Sequence, residues 1–227
     1  MIQTRTFNIT CDGVTMNSLT DYGLAVGNTN YIGEPTMEEF YVDVPGGGVI
    51  DLSDALTGRP VFKQRTISIE VGAMRYKDDW DREMSIFRNR YDGKVCKITF
   101  DNDQEWYWEG RVRITNFERT KSLGTFTIVM TANPYKQKVI PIIDSYDLSG
   151  VPKEVDMHSF DIPTEPVFVA RDNGMSVATW KQGMGQTMYM LVKDEEFKIP
   201  ALLTDTDYKV TVDGSGTVDV YFKEKSL

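Results

Sequence analysis

Apolar and polar residues alternate with a period of two along most of the chain, as in strands that bury one face. Ile67, Ile69 and Val71 alternate with Thr66, Ser68 and Glu70. Cys96, Ile98 and Phe100 share one face, Trp106, Trp108, Val112 and Ile114 another, and Phe126, Ile128 and Met130 a third. With Asp101-Asn102-Asp103 and Arg119 to Gly124 as turns, these last three runs predict an antiparallel meander. Gly110, inside one of them, marks a bulge or a close approach of backbone. The period changes once. From Asp78 to Tyr91, the residues Trp80, Met84, Phe87 and Tyr91 fall on one helical stripe. Asp78, Asp79 and Asp81 charge the first turn, Arg88 and Arg90 the last, and Gly93 ends it, so a helix docked on the sheet is expected.

Upstream, a strand at Tyr41 to Val44 runs into Pro45-Gly46-Gly47-Gly48 and out again through Val49 to Ser53. Three glycines permit positive φ and proline removes a donor, so the chain reverses there. Ser53-Asp54-Ala55-Leu56 has the capping chemistry of a single helical turn, stopped by Gly58 and Pro60. The first forty residues show weaker strands around Phe7 to Ile9 and Tyr22 to Val26, and Gly27 to Pro35 reads as loop. The pattern fades after Asn133-Pro134-Tyr135. This sets a boundary between a first domain, 1–137, and a second, 138–227. In the second, strands are expected near Val139 to Ile143, Pro166 to Ala170, Ser176 to Trp180, Thr187 to Val192, Tyr208 to Val212 and Thr217 to Phe222. The last two read as a hairpin about Asp213-Gly214-Ser215-Gly216. Six short strands in so few residues predict a small β-sandwich.

Composition agrees with a mainly β chain: 227 residues, 11% aromatic, with 18 Gly and 9 Pro to make turns. The 34 acidic residues outnumber the 25 basic ones, a net charge of −9, so neither specific nucleic-acid binding nor an anionic membrane surface is expected. No run approaches the ~18 apolar residues of a membrane span, so no membrane insertion is expected. Met1 to Arg5 lacks the apolar core of a signal peptide, so synthesis and folding in the cytoplasm are expected. Cys11 and Cys96 lack zinc-site spacing and read as reduced core residues.

Catalytic chemistry finds little purchase. The glycine run is not followed by the Lys-Ser/Thr of a phosphate loop. His158 sits one residue from Ser159, but neighbours on an extended segment point apart and no nucleophile elbow is present, so it reads as a surface loop histidine. Paired acids such as Glu38-Glu39 are uninformative among so many. Asp101-Asn102-Asp103 lacks the glycine and distal glutamate of a calcium loop. No catalytic, cofactor-binding or metal-binding residues are assigned.

The ordered series Tyr41 to Leu56, Gly58-Arg59-Pro60, Arg65 to Val71, the helix ending Tyr91-Asp92-Gly93-Lys94, Trp106 to Val112, Gly124-Thr125-Phe126 and Asn133-Pro134-Tyr135 resembles the distal tail protein of long-tailed siphophages. The resemblance covers roughly residues 1 to 137. It implies a tail-tube-like β-sandwich or split barrel with one packed helix, followed by a galectin-like β-sandwich. It further implies a structural virion protein of the tail tip, assembled in the bacterial cytoplasm as a hexameric ring. Its partners would be the tail tube protein, the tape measure protein and a tail-associated adhesion or lysin protein. On this reading Tyr41, Pro45, Gly46, Gly47 and Gly48 are candidate inter-subunit residues, because they form a projecting excursion. The alternative is a carbohydrate-binding module with Trp180 and Tyr189 stacking on sugars. In strands, however, burial is the commoner fate of such rings.

Overall fold

The structure is a computed structural model that describes residues 5–53, 55, 58–73, 80–119, 123–200, 202–204 and 207–227. It is mainly β and divides into two compact units, Met1–Lys136 with Leu227, and Gln137–Ser226. The first unit contains β1 (Phe7–Cys11), β2 (Val14–Asn17), β3 (Leu24–Ile32), β4 (Tyr41–Val44), β5 (Gly48–Asp51), β6 (Arg65–Ala73), α1 (Trp80–Tyr91), β7 (Val95–Phe100), β8 (Trp106–Arg119) and β9 (Gly124–Ala132). The rest of the chain follows as β10 (Lys136–Lys138), β11 (Ile142–Ser149), β12 (Lys153–Glu154), β13 (Val167–Ala170), β14 (Ser176–Lys181), β15 (Gly185–Met190), β16 (Glu196–Lys198), β17 (Lys209–Asp213), β18 (Ser215–Phe222) and β19 (Lys225–Ser226).

Seven strands of the first unit form an antiparallel sheet in the order β2-β1-β7-β8-β9-β6-β3. Its two ends curl toward each other. Val26 N donates to Arg5 O at 3.1 Å and Leu24 N to Ser18 O at 2.8 Å, bringing β3 to the segments flanking β1 and β2. This partial closure makes one face interior. The alternating residues Phe7, Ile9, Ile67, Ile69, Val71, Ile98, Val112, Phe126, Ile128 and Met130 are buried in a single core. Helix α1 fills that core with the stripe Trp80, Met84, Phe87 and Tyr91, all four buried. Phe87 meets Tyr22, Tyr91 and Phe126 at ring distances of 5.0, 4.7 and 5.3 Å, and Tyr22 and Tyr91 hydroxyls hydrogen-bond at 2.8 Å. Asp81 and Glu83 in the first turn, Arg88 and Arg90 in the last, and Gly93 at φ 78° bound the helix. The expected caps Asp78 and Asp79, most of the helical turn at Ser53 to Leu56, and the middle of the Arg119 to Gly124 turn lie outside the described residues.

Gly110 makes a close backbone approach: a Cβ there would stand 2.2 Å from Thr131 O and 2.5 Å from Ala132 Cα. The irregularity of β8 lies farther on, between Thr115 and Glu118, where Asn116 has φ 53°. Gly27 to Ile32, expected as loop, continues β3 against β6 through a register shift between Val26 and Asn30. Polar Asn28, Thr29 and Asn30 obscure the alternation there.

The second unit is a sandwich of two four-stranded sheets, β11-β18-β13-β16 and β12-β17-β14-β15. Phe168, Val218, Val220 and Phe222 of the first sheet meet Val177, Val210 and Val212 of the second in one core. The expected hairpin of the last two long strands is not formed. β17 pairs with β14 and β12, and β18 with β11 and β13, so Asp213 to Gly216 carries the chain from one sheet to the other. Gly214 and Gly216 make this corner at φ 133° and 130°, angles closed to side chains. The strand expected near Val139 begins at Ile142, and Lys136–Lys138, expected as a patternless boundary, is a short strand pairing with β19.

Candidate functional site

The expected inter-subunit residues fall in a two-stranded ribbon, β4 with β5, that belongs to no larger sheet. Tyr41 lies opposite Asp51, Val42 opposite Ile50, Asp43 opposite Val49 and Val44 opposite Gly48, leaving Pro45, Gly46 and Gly47 as the turn. Gly47 N donates to Val44 O at 2.9 Å, and Gly46 and Gly48 take φ 78° and 89°. Only glycine does this without strain. At the base, the Asp51 carboxylate accepts from Ser53 N at 2.9 Å and Ser53 Oγ at 2.6 Å. Phe40 N donates to Ser53 Oγ at 2.9 Å, and Leu52 N to Phe40 O at 2.8 Å. The hydrogen bonds from Ser53 hold the Asp51 carboxyl below the usual carboxylate range. Behind the base, Glu38 N bonds to Val61 O and Lys63 N to Thr36 O. Phe62, between them, packs edge-on against Tyr135 at 6.2 Å and ties the ribbon to its unit.

Register divides the ribbon into two faces. One carries Tyr41, Asp43, Val49 and Asp51. The charges of Glu39 and then Asp51 push the Tyr41 phenol above its ordinary value. The other face carries Phe40, Val42, Ile50 and Leu52 and is wholly apolar, yet Phe40 is 61% and Ile50 49% exposed. A lone two-stranded ribbon is marginal in water, and this one leaves an apolar face bare to solvent. Sequence reading singled out Tyr41 and the turn and passed over these four side chains. The apolar alternation on both sides of the glycine turn was the available signal, but local sequence does not tell a buried ribbon from a bare one.

In the second unit, Trp180 and Tyr189 are not brought together. Trp180 pairs with Gln186 and Val177 with Tyr189, which puts the two rings on opposite faces of the sheet. Trp180 is 45% exposed, whereas Tyr189 packs on Phe197 at 5.5 Å as part of the core rim. His158, expected on the surface, is half-buried: its Nε2 is 2.8 Å from Asp144 Oδ2 and its ring stands edge-on to Phe222 at 4.8 Å. Ser159 is exposed and takes no part in that contact.

Cys11 and Cys96, far apart in sequence, are buried neighbours, because Thr10 pairs with Lys97 in the β1–β7 ladder. Burial, together with the Cys11 contact, pushes the Cys96 thiol up to about 12. Arg65 is buried with its guanidinium 4.7 Å over the Trp108 ring, and its Nε and Nη2 have no hydrogen-bond partner among the described residues. Desolvation lowers its pKa. Among the described residues no group of three or more His, Cys, Asp or Glu is placed to hold a metal, and no helix is long and apolar enough to cross a membrane.

No protein-family model matches the sequence, and no curated protein matches it. Solved structures do. The crystal structure of the SPP1 Dit protein (gp 19.1), described as a paradigm of the hub adsorption apparatus in phages infecting Gram-positive hosts, superposes with a TM-score of 0.56 at 13% identity. The match covers 97% of this chain and 99% of that one. The two chains therefore share a fold through both units.

Proposed function

We propose that the chain is a structural hub of a phage tail: a hexameric ring at the distal end of the tail that joins the tail tube to the host-adhesion device. The observation that carries this reading is the shared fold with the SPP1 hub protein over nearly the full length of both chains. The ribbon supports it. In this reading Tyr41, Pro45, Gly46, Gly47 and Gly48 meet a neighbouring copy, and the apolar face of Phe40, Val42, Ile50 and Leu52 is covered in the ring. Residues 1–137 form the ring and 138–227 an outward, galectin-like module. Tape measure and tube proteins lie on one side of the ring and a tail-associated adhesion or lysin protein on the other. The role is structural, with no catalytic step, and its place is the virion. The acidic chain, net −9, suits a channel that DNA crosses without sticking.

A carbohydrate-binding role gains less. A stacking platform needs rings on one surface, and Trp180 and Tyr189 point to opposite sides of their sheet.

Co-purification tests the hub reading. The chain, expressed with the products of its flanking genes, is expected to carry along a tube-like protein and a large tail-associated protein. A genomic setting without tail genes, with no co-purifying partner, would contradict it.

A further inference from the structure

The ribbon's chemistry specifies what it docks on. The segment from Glu38 to Ser53 holds Glu38, Glu39, Asp43 and Asp51 and no lysine or arginine. One of its faces carries Asp43 and Asp51 together with Tyr41 and Val49. A matching surface needs apolar floor flanked by cations.

Such a surface lies on the outward side of the seven-stranded sheet, a depression of about 530 Å³ that crosses β7, β8 and β9. Val95 lies beside Arg111, Arg111 beside Thr131, and Arg113 beside Val129, so these side chains share one face. Val95 and Val129 supply apolar floor, and Val95 is half-exposed. Arg111 and Arg113 supply the charge, with Glu109 the one acid lining the depression among the described residues. Arg111 is steadied by a hydrogen bond from its Nη1 to Gly93 O. Arg113 is exposed, and no side-chain hydrogen bond or ion pair is found for it among the described residues.

We infer that the ribbon of one copy docks in the Val95–Arg111–Arg113–Val129 depression of the next copy, with Asp43 and Asp51 facing the two arginines. This inference rests on the ring reading and adds to it the receiving surface. Ribbon and depression are different patches of the same chain, so the contact is heterologous. Repeated from copy to copy, such a contact generates a ring when the rotation it fixes closes on itself. Tyr41 and Val49, which share the ribbon face of the two aspartates, lie on the apolar floor and supply the driving force, and the charge pairs set register and reject wrong docking.

A charge exchange on the full chain tests it, read by sedimentation velocity over a concentration series at low salt. Asp43→Arg and Arg113→Glu, each alone, are expected to weaken assembly by about tenfold or more, with the thermal melt unchanged. The double variant Asp43→Arg/Arg113→Glu is expected to return to within about threefold of the natural chain, since the pair is restored in reverse. Single variants that assemble like the natural chain, or a double variant no better than the singles, overturn the docking while leaving the ring standing; the ribbon then meets another surface or another protein. A natural chain that stays monomeric at every concentration overturns ring and docking together.

Discussion

Replacing Phe87 with alanine removes the centre of the aromatic cluster that anchors α1. Phe87 is 4% exposed and touches Tyr22, Tyr91 and Phe126. The space around it is already filled: the void between Tyr22, Trp80, Met84, Phe87 and Phe126 is only about 10 Å³, too small to relax into. The loss has two parts. Transfer of the ring costs roughly 2 kcal/mol. A residual cavity on the order of 80 Å³, at about 24 cal/mol per Å³, adds roughly 2 more. The sum, about 4 kcal/mol, sits inside the 3–5 kcal/mol range usual for buried aromatics. Of the four tryptophans, Trp80, Trp106 and Trp108 lie in the first unit and Trp180 in the second. In a Trp180→Phe background, fluorescence therefore reports the first unit alone. With an m-value of about 2 kcal/mol per M, the urea midpoint of Phe87→Ala is expected to fall by about 2 M. Ile86→Ala, one position away and half-exposed, serves as the control and is expected to cost under about 1 kcal/mol. Equal midpoint shifts for the two variants would refute the docking of this helix face.

Three further outcomes follow from the same geometry. Gly110→Ala puts a methyl against the backbone of Thr131 and Ala132, at 2.2 and 2.5 Å. It is expected to cost about 3 kcal/mol or more by the same urea assay, and a loss under 1 would show that the β8–β9 ladder yields. Burial pushes the Tyr107 phenol and the Cys96 thiol up to about 12, from ordinary values of 10.0 and 9.0, and drives Tyr91 upward as well. Unfolding then releases these protons above pH 9 to 10, so their stabilising contribution is complete below that range and is lost as pH climbs toward 12. Melting temperature should decline across that window, less so in Tyr107→Phe; an identical decline in that variant would remove Tyr107 from the account. In the second unit, Tyr189→Ala is expected to destabilise by about 2 kcal/mol and Trp180→Ala by under 1. Calorimetric sugar binding that requires both rings would contradict their placement on opposite faces.

What the sequence disclosed follows its local periods. The stripe of Trp80, Met84, Phe87 and Tyr91 and the alternation of Ile67 to Val71 each signal an element and its buried face, and both faces are buried. Pairing is another matter. Val210 and Val212 alternate into Val218, Val220 and Phe222 as a hairpin would, but both runs bury the same core from opposite sheets. Alternation cannot tell a hairpin from a corner. The neighbourhood of Cys11 and Cys96 depends on the β1–β7 pairing across 84 intervening positions, and no spacing rule reports it. The candidate site was half legible: Pro45 to Gly48 announced a turn, and Tyr41 a projecting strand. That Phe40, Val42, Ile50 and Leu52 face solvent, and that Arg111 and Arg113 border a depression, are consequences of the whole fold.

The ring itself is the central claim, and native mass spectrometry of the full chain over rising concentration in volatile buffer tests it most directly. Six copies of the 25.9 kDa chain weigh about 155 kDa, and closure of a heterologous contact predicts that species with no ladder beyond it. A chain that remains at 25.9 kDa throughout, or an open series of growing oligomers, would contradict the account.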